Sequence, residues 1–307
     1  MSEPVYLDWF RAAPDRRRGF SIAPAVLGVL LAAGASAPSR AAPAPAAATY
    51  LALGDSLAYG MQIGKLKDQM AAGSVQASSF DTGYVDVFAA GLRAASPGLR
   101  VVDLGCPGET TASFIAGPCA YAATGKPFGT TPLPLHMGYP GAQLAAATDY
   151  LSSHPGEVGT ITLDIGINDL RAVQLDCPAG SEFTGCVTAR WPAALERTEA
   201  NLRTILGRLR DAAPGATILV MPYYNWLAVT DPATDRSVEQ LNRAIAAAAA
   251  IAGARTVDAF AAFNRTGGDE RKRLCELTLF CGPTHDLHPS DAGYRTIGEL
   301  FAAAVAR

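Results

Sequence analysis

The sequence predicts an α/β protein: a three-layer α/β/α sandwich built around a five-stranded parallel sheet. Five short apolar segments rich in β-forming residues alternate with segments whose apolar residues recur at helical spacing. Strands that alternate with helices form parallel sheets, because each crossover lays a helix on one face of the sheet. The 307 residues, 49% of them hydrophobic, are enough for one large core.

The predicted strands are the five apolar segments in chain order. They span Tyr50–Leu53, Arg100–Leu104, Thr160–Ile165, Thr217–Met221 and Thr256–Val257. Parallel sheets bind ligands at the carboxyl ends of their strands. We therefore expect the residues that directly follow these segments to carry the chemistry.

Five helices are predicted between and after the strands. Most of them repeat apolar residues at helical spacing or are rich in alanine, and most end near a glycine or proline. Ser290 has the side chain of an N-cap and is predicted to begin the last helix. The predicted helices span Tyr84–Ala95, Ala142–Leu151, Trp191–Ala212, Val238–Ala252 and Ser290–Ala306.

The first 41 residues have the composition of an export signal. Three arginines (Arg16–Arg18) precede a mostly apolar stretch from Gly19 to Ala35, and small residues follow. The alternative is a retained membrane anchor, but the stretch is short for a span and contains Pro24. We expect a secreted protein that meets the membrane only through its signal.

Composition limits the partners of the domain. Residues 42–48 are rich in alanine and proline and predict a linker, which leaves residues 49–307 for the folded domain. The net charge of −3 offers no basic footprint for nucleic acid. We therefore expect no nucleic-acid partner.

The six cysteines predict disulfide bonds, because an even number in an exported protein is usually oxidised. We favour the sequential pairing, since each bond then closes a short loop between predicted core elements. Structural zinc is the alternative, but no two cysteines have the C-x-x-C spacing typical of such sites. The sequential pairs are Cys106–Cys119, Cys177–Cys186 and Cys275–Cys281.

The first candidate for chemistry is a serine that directly follows the first strand. The segment GDSL, residues 54–57, places Ser56 where the chain turns from strand to helix. A serine hydroxyl is a weak nucleophile unless a base takes its proton. The alternative interpretation is a polar turn in which Ser56 or Asp55 caps a helix.

The segments after the second and third strands contain donors for an oxyanion. Gly108 has no side chain, so its N–H can approach a substrate oxygen closely. Asn168 carries a neutral amide that donates hydrogen bonds without competing for protons. Each segment alone is equally compatible with an ordinary turn.

A fourth segment, HDLHP over residues 285–289, precedes the last predicted helix. It places His288 two residues after Asp286, and a histidine beside a carboxylate fits a general base with an orienting partner. The chain has four histidines, and two of them lie here. A single histidine is more often an ordinary surface or core residue. This segment therefore indicates a general base only in combination with the other three segments.

Together and in this order, the segments LALGDSLAYG, VVDLGCPGETT, LDIGIND and DLHPSDAGY resemble those of the SGNH or GDSL hydrolases. The resemblance covers residues 50 to about 301 and implies a flavodoxin-like ester hydrolase. It implies that Ser56 attacks the ester carbonyl, and that His288 takes its proton and passes it to the leaving alcohol. The backbone N–H groups of Ser56 and Gly108 and the side chain of Asn168 would form the oxyanion hole.

The chain departs from the family pattern at three positions. The family usually places its acid three residues before the histidine, where this chain has His285. We expect Asp286 to orient His288 instead; the alternative is a backbone carbonyl and a Ser–His dyad. Asp103 stands where the family often has asparagine, and Asp164 is an acid within an apolar strand. For both we expect a hydrogen-bonding role near the site.

The resemblance implies an esterase or lipase, and we expect it to act as a monomer on a small-molecule or lipid ester without a cofactor or a metal. Acetyl esters of polysaccharides, phospholipids and thioesters are alternative substrates on the same fold. A secreted binding protein without catalysis is the alternative of another class, although such a protein would be expected to have lost at least one of the four site residues. An α/β-hydrolase is disfavoured, because residues 54–58 lack the second glycine of G-x-S-x-G.

Two segments are expected to shape the acyl pocket, Gly64–Phe80 and the insert Ala120–Tyr139. The alternative is that the apolar residues of the insert only pack it onto the domain. A Cys106–Cys119 bond is further expected to fix the loop that bears Gly108. The residues of the insert that are expected to shape the acyl pocket are Phe128, Leu133, Leu135, His136, Met137 and Tyr139.

Overall fold

The computed structural model describes residues 49–124, 133–265 and 267–306. The predicted signal and linker, and Phe128 of the insert, lie outside the described residues. The described chain forms a parallel sheet of five strands in the order β2-β1-β3-β4-β5. This is the strand order of a flavodoxin-like fold, as expected.

All five predicted strands are present, with their ends shifted by at most two residues. The two central strands, β1 and β3, end side by side, because Gly54 pairs with Asp164 in the register of the sheet. The direction in which successive strands are added reverses at β1: β2 lies on one side of it, and β3, β4 and β5 follow on the other. Such sheets bind ligands at this reversal point, between β1 and β3. The strands are β1 (Thr49–Gly54), β2 (Arg100–Asp103), β3 (Val158–Asp164), β4 (Thr217–Val220) and β5 (Arg255–Thr256).

Within the described ranges, eleven α-helices accompany the sheet. Five of them, α2, α5, α7, α8 and α11, are the predicted ones. The helices are α1 (Ile63–Ala71), α2 (Tyr84–Ala95), α3 (Thr111–Ala116), α4 (Ala120–Thr124), α5 (Gln143–Ser153), α6 (Ile167–Leu175), α7 (Phe183–Ala212), α8 (Asp235–Ile251), α9 (Ala259–Asn264), α10 (Glu270–Leu277) and α11 (Asp291–Val305).

Helix α7 begins at Phe183, well before the predicted start at Trp191, and contains Pro192 in its interior. Its first turn is tied to the chain after α6 by the Cys177–Cys186 disulfide. No helix in the described ranges has the length and hydrophobicity needed to cross a bilayer.

Two groups of helices cover the sheet. Helices α3, α5, α6, α7 and α8 pack with one another, and α2 packs against α11. An aromatic cluster joins the second group to the central strand: Tyr84 stacks on Phe301 at 4.8 Å, and Phe88 meets Tyr50 of β1 edge-on at 5.1 Å. Ser290 caps α11, as predicted, by accepting a hydrogen bond from the N–H of Gly293. The cluster thereby fixes the helix that follows the His288 loop over the strand that precedes Ser56.

The six cysteines are joined in the sequential pairing that the sequence analysis favoured. The described residues contain the bonds Cys106–Cys119, Cys177–Cys186 and Cys275–Cys281.

Candidate active site

Ser56 lies in a tight turn directly after β1 and is 8% exposed. The turn begins at Gly54, which has φ = 144°, and a Cβ there would lie 2.4 Å from the carbonyl oxygen of Asp164. Gly54 is therefore required both by its backbone conformation and by the close approach of β3. After the turn, the N–H of Met61 donates to the carbonyl oxygen of Ser56 at 2.9 Å.

The carboxylate of Asp55 fixes the turn from within the core. Its Oδ1 accepts the N–H of Leu57 at 2.9 Å. Its Oδ2 accepts the hydroxyl of Tyr223 at 2.7 Å and the Nδ2 of Asn168 at 3.3 Å. The residue beside the candidate nucleophile thus contacts the candidate oxyanion donor directly.

Asp164, for which a hydrogen-bonding role near the site was expected, supports the same turn from β3. Its Oδ2 accepts the N–H of Asp55 at 3.1 Å, and its Oδ1 accepts the hydroxyl of Tyr84 at 2.6 Å. Burial and the neighbouring Asp55 raise the pKa of Asp164 well above its ordinary value. We infer that the carboxyl group of Asp164 is a structural hydrogen-bonding group of the nucleophile turn.

Gly108 lies in the loop after β2 with φ = 77°, a conformation that favours glycine. A Cβ at this position would lie 2.6 Å from the ring of the buried Tyr121. The Cys106–Cys119 disulfide closes the same loop. The bond and the aromatic ring together restrict the backbone N–H that is the second candidate oxyanion donor.

Asn168 lies in the first turn of α6 and is 8% exposed. Its Nδ2 donates to the carbonyl oxygen of Glu109 at 2.9 Å, so the third segment is joined to the second. The next residue adds another connection, because the carboxylate of Asp169 accepts the N–H and the hydroxyl of Thr111 at 2.8 and 2.6 Å. Asp169 belongs to the LDIGIND segment, but its role was not predicted.

His288 is 2% exposed, and its Nδ1 lies 2.6 Å from Oδ1 of Asp286. The same oxygen accepts the N–H of His288 at 3.1 Å, and Oδ2 accepts the N–H of Ile63 at 2.7 Å. The ring partner of His288 in the structure is therefore a carboxylate and not a backbone carbonyl. His285, at the position that the family usually gives to its acid, is exposed, has φ = 46° and bonds to the carbonyl oxygen of Phe280.

The environment of Asp286 favours its charged form. Burial alone would raise the pKa of this carboxyl group, but the charge and ring N–H of His288 and the N–H of Ile63 outweigh it. The pKa of Asp286 therefore lies below its ordinary value. A carboxylate that stays ionised can stabilise an imidazolium that forms during catalysis.

Three side chains that were not predicted anchor the histidine segment: two of them join it to the chain after Ser56, and the third, Tyr224, joins it to the chain after β4. Gln62 donates from Nε2 to the carbonyl oxygen of Pro289 at 3.1 Å and to Asp291 at 3.0 Å. The hydroxyls of Tyr294 and Tyr224 donate to the carbonyl oxygens of Met61 and Leu287, both at 2.8 Å. Buried polar groups such as these give only a weak sequence signal, because each pairs with backbone far away in the chain.

Two further acids lie near the oxyanion loop. Removal from water raises the pKa of Asp103 to about 7, and its Oδ1 accepts the N–H of Gly105 at 2.7 Å. This is the hydrogen-bonding role expected for Asp103. Burial raises the pKa of Glu109 to about 8, and its Oε2 accepts Nε2 of Gln143 at 3.3 Å. The sequence analysis did not single out Glu109 or Gln143.

The described part of the insert packs onto the domain. Leu133 is buried in an apolar cluster with Tyr59 and Phe80. His136 lies against the ring of Tyr59 at 4.8 Å and pairs with Asp81 at 3.2 Å. An acyl pocket formed by the insert and residues 64–80 stays a prediction. In the described ranges, no group of three His, Cys, Asp or Glu side chains could bind a metal.

The model of the GDSL-like lipase/acylhydrolase family matches residues 52–296, which include Ser56, Gly108, Asn168 and His288. The chain belongs to this family. The chain is therefore an enzyme of the ester hydrolase class. The parallel sheet described above agrees with this family. Among curated proteins, none matches the chain in sequence.

Solved structures of similar fold include phospholipase A1 from Streptomyces albidoflavus NA297, 22% identical, with a TM-score of 0.53 over 85% of this chain and 100% of that chain. LAE5, an α/β hydrolase enzyme from the metagenome of Lake Arreo, is 19% identical (TM-score 0.52, 85% and 96% covered). A variant of Axe2, an acetyl xylan esterase from Geobacillus stearothermophilus, is 21% identical (TM-score 0.50, 84% and 94% covered). At these identities the likeness establishes the fold alone.

Proposed function

We propose that this enzyme hydrolyses carboxylic esters through an acyl-enzyme on Ser56. The observation that carries the proposal is the 2.6 Å contact between His288 Nδ1 and the buried carboxylate of Asp286. The contact holds the imidazole ring with Nδ1 bonded to the carboxylate of Asp286, so Nε2 is the nitrogen that can accept a proton. The hydrogen bonds of Gln62, Tyr294 and Ile63 hold this pair against the chain that follows Ser56.

In the first half of the reaction, Oγ of Ser56 attacks the carbonyl carbon of the ester while Nε2 of His288 takes the hydroxyl proton. The carbonyl π bond becomes a tetrahedral oxyanion. When this intermediate collapses, the bond to the alkoxy group breaks and the imidazolium gives its proton to the leaving alcohol. Asp286 stays ionised throughout and stabilises the positive ring.

In the second half, His288 takes a proton from water, and the oxygen of that water attacks the acyl carbon. Collapse of the second intermediate releases the carboxylic acid and returns the proton to Ser56. Both intermediates place a negative oxygen near the N–H groups of Ser56 and Gly108 and the Nδ2 of Asn168. Loss of one such donor usually costs about 3–4 kcal/mol of transition-state stabilisation.

The proposed substrates are esters with an apolar acyl group, and the proposed location is extracellular. The reason for proposing an apolar acyl group is the apolar insert, whose Leu133 packs with Tyr59, Met61 and Phe80 in a buried cluster that begins three residues after Ser56. Three disulfides among the described residues support an oxidising compartment. The alternative substrates are acetyl esters of polysaccharides and phospholipids.

The test is hydrolysis of p-nitrophenyl acetate, butyrate, octanoate and palmitate by enzyme produced under oxidising conditions. Ser56→Ala is expected to abolish activity, and Ser152→Ala, at an exposed serine of α5, is expected to retain it. A preference for the longer esters would support the apolar substrate, and a preference for acetate would favour an acetyl esterase. Equal rates for the wild type and Ser56→Ala would exclude Ser56 as the nucleophile.

A further inference from the structure

Glu109 connects the ends of three neighbouring strands. It follows β2, and its N–H donates to the carbonyl oxygen of Cys106 at 3.1 Å within the loop that carries Gly108. Its own carbonyl oxygen accepts Nδ2 of Asn168, after β3, at 2.9 Å. Its side-chain Oε2 accepts Nε2 of Gln143 at 3.3 Å.

Gln143 extends this connection to the nucleophile turn. Its Nε2 also donates to the carbonyl oxygen of Gly54 at 2.9 Å, and its Oε1 accepts the N–H of Gly54 at 2.7 Å. Gly54 is the last residue of β1 and stands two residues before Ser56. The side chain of Glu109 and the backbone of the nucleophile strand therefore share one buried amide group.

The carboxyl group of Glu109 has the surroundings of an uncharged acid. The residue is 2% exposed, and within the described ranges its Oε1 has no hydrogen-bond partner. An ionised carboxylate with an unpaired oxygen in a protein interior is strongly unfavourable, whereas a neutral acid group is tolerated. The geometry around Glu109 therefore favours the protonated, uncharged form of its carboxyl group.

The charges that face Glu109 act in the same direction as its burial. Burial, together with the negative charges of Asp55 on the nucleophile turn and Asp169 on α6, raises its pKa to about 8. Tyr139, ahead of α5, is a further titratable neighbour, and its own pKa is raised by burial and by Glu109. The neutral groups that offset part of the rise for Glu109 are Ser113 and Gln143.

We propose that Glu109 is a positioning residue that acts in its uncharged form, holding the Gly108 loop, Asn168 and, through Gln143, the nucleophile turn in one arrangement. Its ionisation then inhibits the enzyme. A carboxylate formed here would place a negative charge beside the site where the oxyanion develops, in an environment of low dielectric constant. The inference rests on the proposed function, since it assigns Glu109 to the oxyanion side of that reaction.

The first test is the pH dependence of kcat/KM for p-nitrophenyl butyrate from about pH 6 to about pH 10, corrected for spontaneous hydrolysis. The wild type is expected to lose about tenfold or more of its activity as the pH rises through the titration of Glu109. Glu109→Gln keeps the acceptor for Gln143 and cannot ionise, so it is expected to hold its activity on the alkaline side. An alkaline decline of the same size and midpoint in this variant would overturn the proposal.

Asp103→Asn is the matched control, because Asp103 is the other acid of the β2 loop whose pKa is raised into this range, to about 7. This variant keeps a side-chain oxygen for the N–H of Gly105. We expect its alkaline decline to persist with an unchanged midpoint. A decline that disappears in Asp103→Asn and persists in Glu109→Gln would assign the effect to Asp103 and overturn the proposal.

A second readout needs no activity and separates this inference from the proposed function. A carboxyl group whose pKa is raised by folding binds its proton more tightly in the folded state, so it stabilises the fold less as the pH rises between the two pKa values. For Glu109 that window runs from its ordinary pKa of 4.5 to about 8. The Tm of Glu109→Gln minus that of the wild type is expected to grow across this window.

The two readouts together keep the two proposals apart. A Tm difference that does not change with pH would show that Glu109 is already charged in the folded state and would overturn the inference whatever the activity. A growing Tm difference in a protein whose activity does not depend on Ser56 would overturn the proposed function, and with it the role of Glu109 on the oxyanion side.

Discussion

The two sides of the candidate site are built in different ways. On the nucleophile side, Ser56 and Asn168 directly follow the central strands β1 and β3. The buried carboxyl groups of Asp55 and Asp164 fix that side by accepting backbone N–H groups and the hydroxyls of tyrosines. On the base side, His288 lies in a loop between α10 and α11, outside the sheet.

The loop on the base side depends on a few separate contacts. The N–H of Leu279 donates to the carbonyl oxygen of His288, and the N–H of Ser290 donates to that of Leu277, both at 2.9 Å. The Cys275–Cys281 disulfide closes the stretch that provides these groups. The nucleophile side therefore shares the stability of the core, whereas the base side is expected to lose activity without loss of the fold.

The largest effect is expected from His288→Ala, which removes the general base while the core stays intact. We expect kcat/KM to fall by about 10⁴-fold or more, with little change in Tm. The matched control is His285→Asn, since asparagine tolerates the positive φ at this exposed position. If His285→Asn lost as much activity as His288→Ala, the assignment of the base would be wrong.

Asn168→Ala is expected to have the next largest effect. Removing one oxyanion donor lowers kcat by about 10²–10³-fold and leaves KM nearly unchanged, because the donor acts mainly in the transition state. Asn201→Ala serves as the control, because Asn201 donates to Thr111 in the same neighbourhood. A rise in KM at constant kcat would assign Asn168 to ground-state binding instead.

Tyr84→Phe tests whether the nucleophile side shares the stability of the core. It removes the 2.6 Å hydrogen bond to Asp164 and leaves a buried carboxyl oxygen with one donor fewer. We expect a loss of about 1–3 kcal/mol in the free energy of unfolding, measured by urea denaturation, together with a lower kcat. An unchanged stability would show that Asp164 does not need this partner.

The smallest effect on turnover is expected from replacing Cys275 and Cys281 by serine. Loss of a short-loop disulfide should lower the free energy of unfolding by about 2–3 kcal/mol, and release of the His288 loop should lower kcat several-fold. Replacing Cys177 and Cys186 in the same way is the control, because that bond joins α6 to α7. Equal kcat values for the two double variants would contradict a role for the loop disulfide in placing His288.

The same division explains what the sequence could predict. The strands were predictable because their apolar residues are contiguous, and Ser56, Gly108 and Asn168 were identifiable because they directly follow strands. The partners of Asp164 and the role of Glu109 were not predictable, because Asp164 meets Tyr84, and Glu109 meets Gln143, only after folding. A lone acid in a strand or loop gives no sign of its distant partner.

On the base side, the sequence left open whether Asp286 or a backbone carbonyl group accepts the hydrogen bond from the ring N–H of His288. The spacing of two residues does not settle this in a loop, since side-chain directions there depend on backbone angles such as the positive φ of His285. The short helices α3, α4 and α9 also escaped prediction, because five or six residues are too few for a helical pattern to show.

The central claim is that Ser56 is the nucleophile activated by His288 and Asp286, and active-site labelling tests it most directly. The enzyme would be treated with a fluorophosphonate ester and the adduct located by peptide mass spectrometry. A single adduct on Ser56 is predicted, absent from Ser56→Ala and formed much more slowly in His288→Ala and Asp286→Asn. An adduct on another residue, or labelling of Ser56→Ala at the rate of the wild type, would contradict the account.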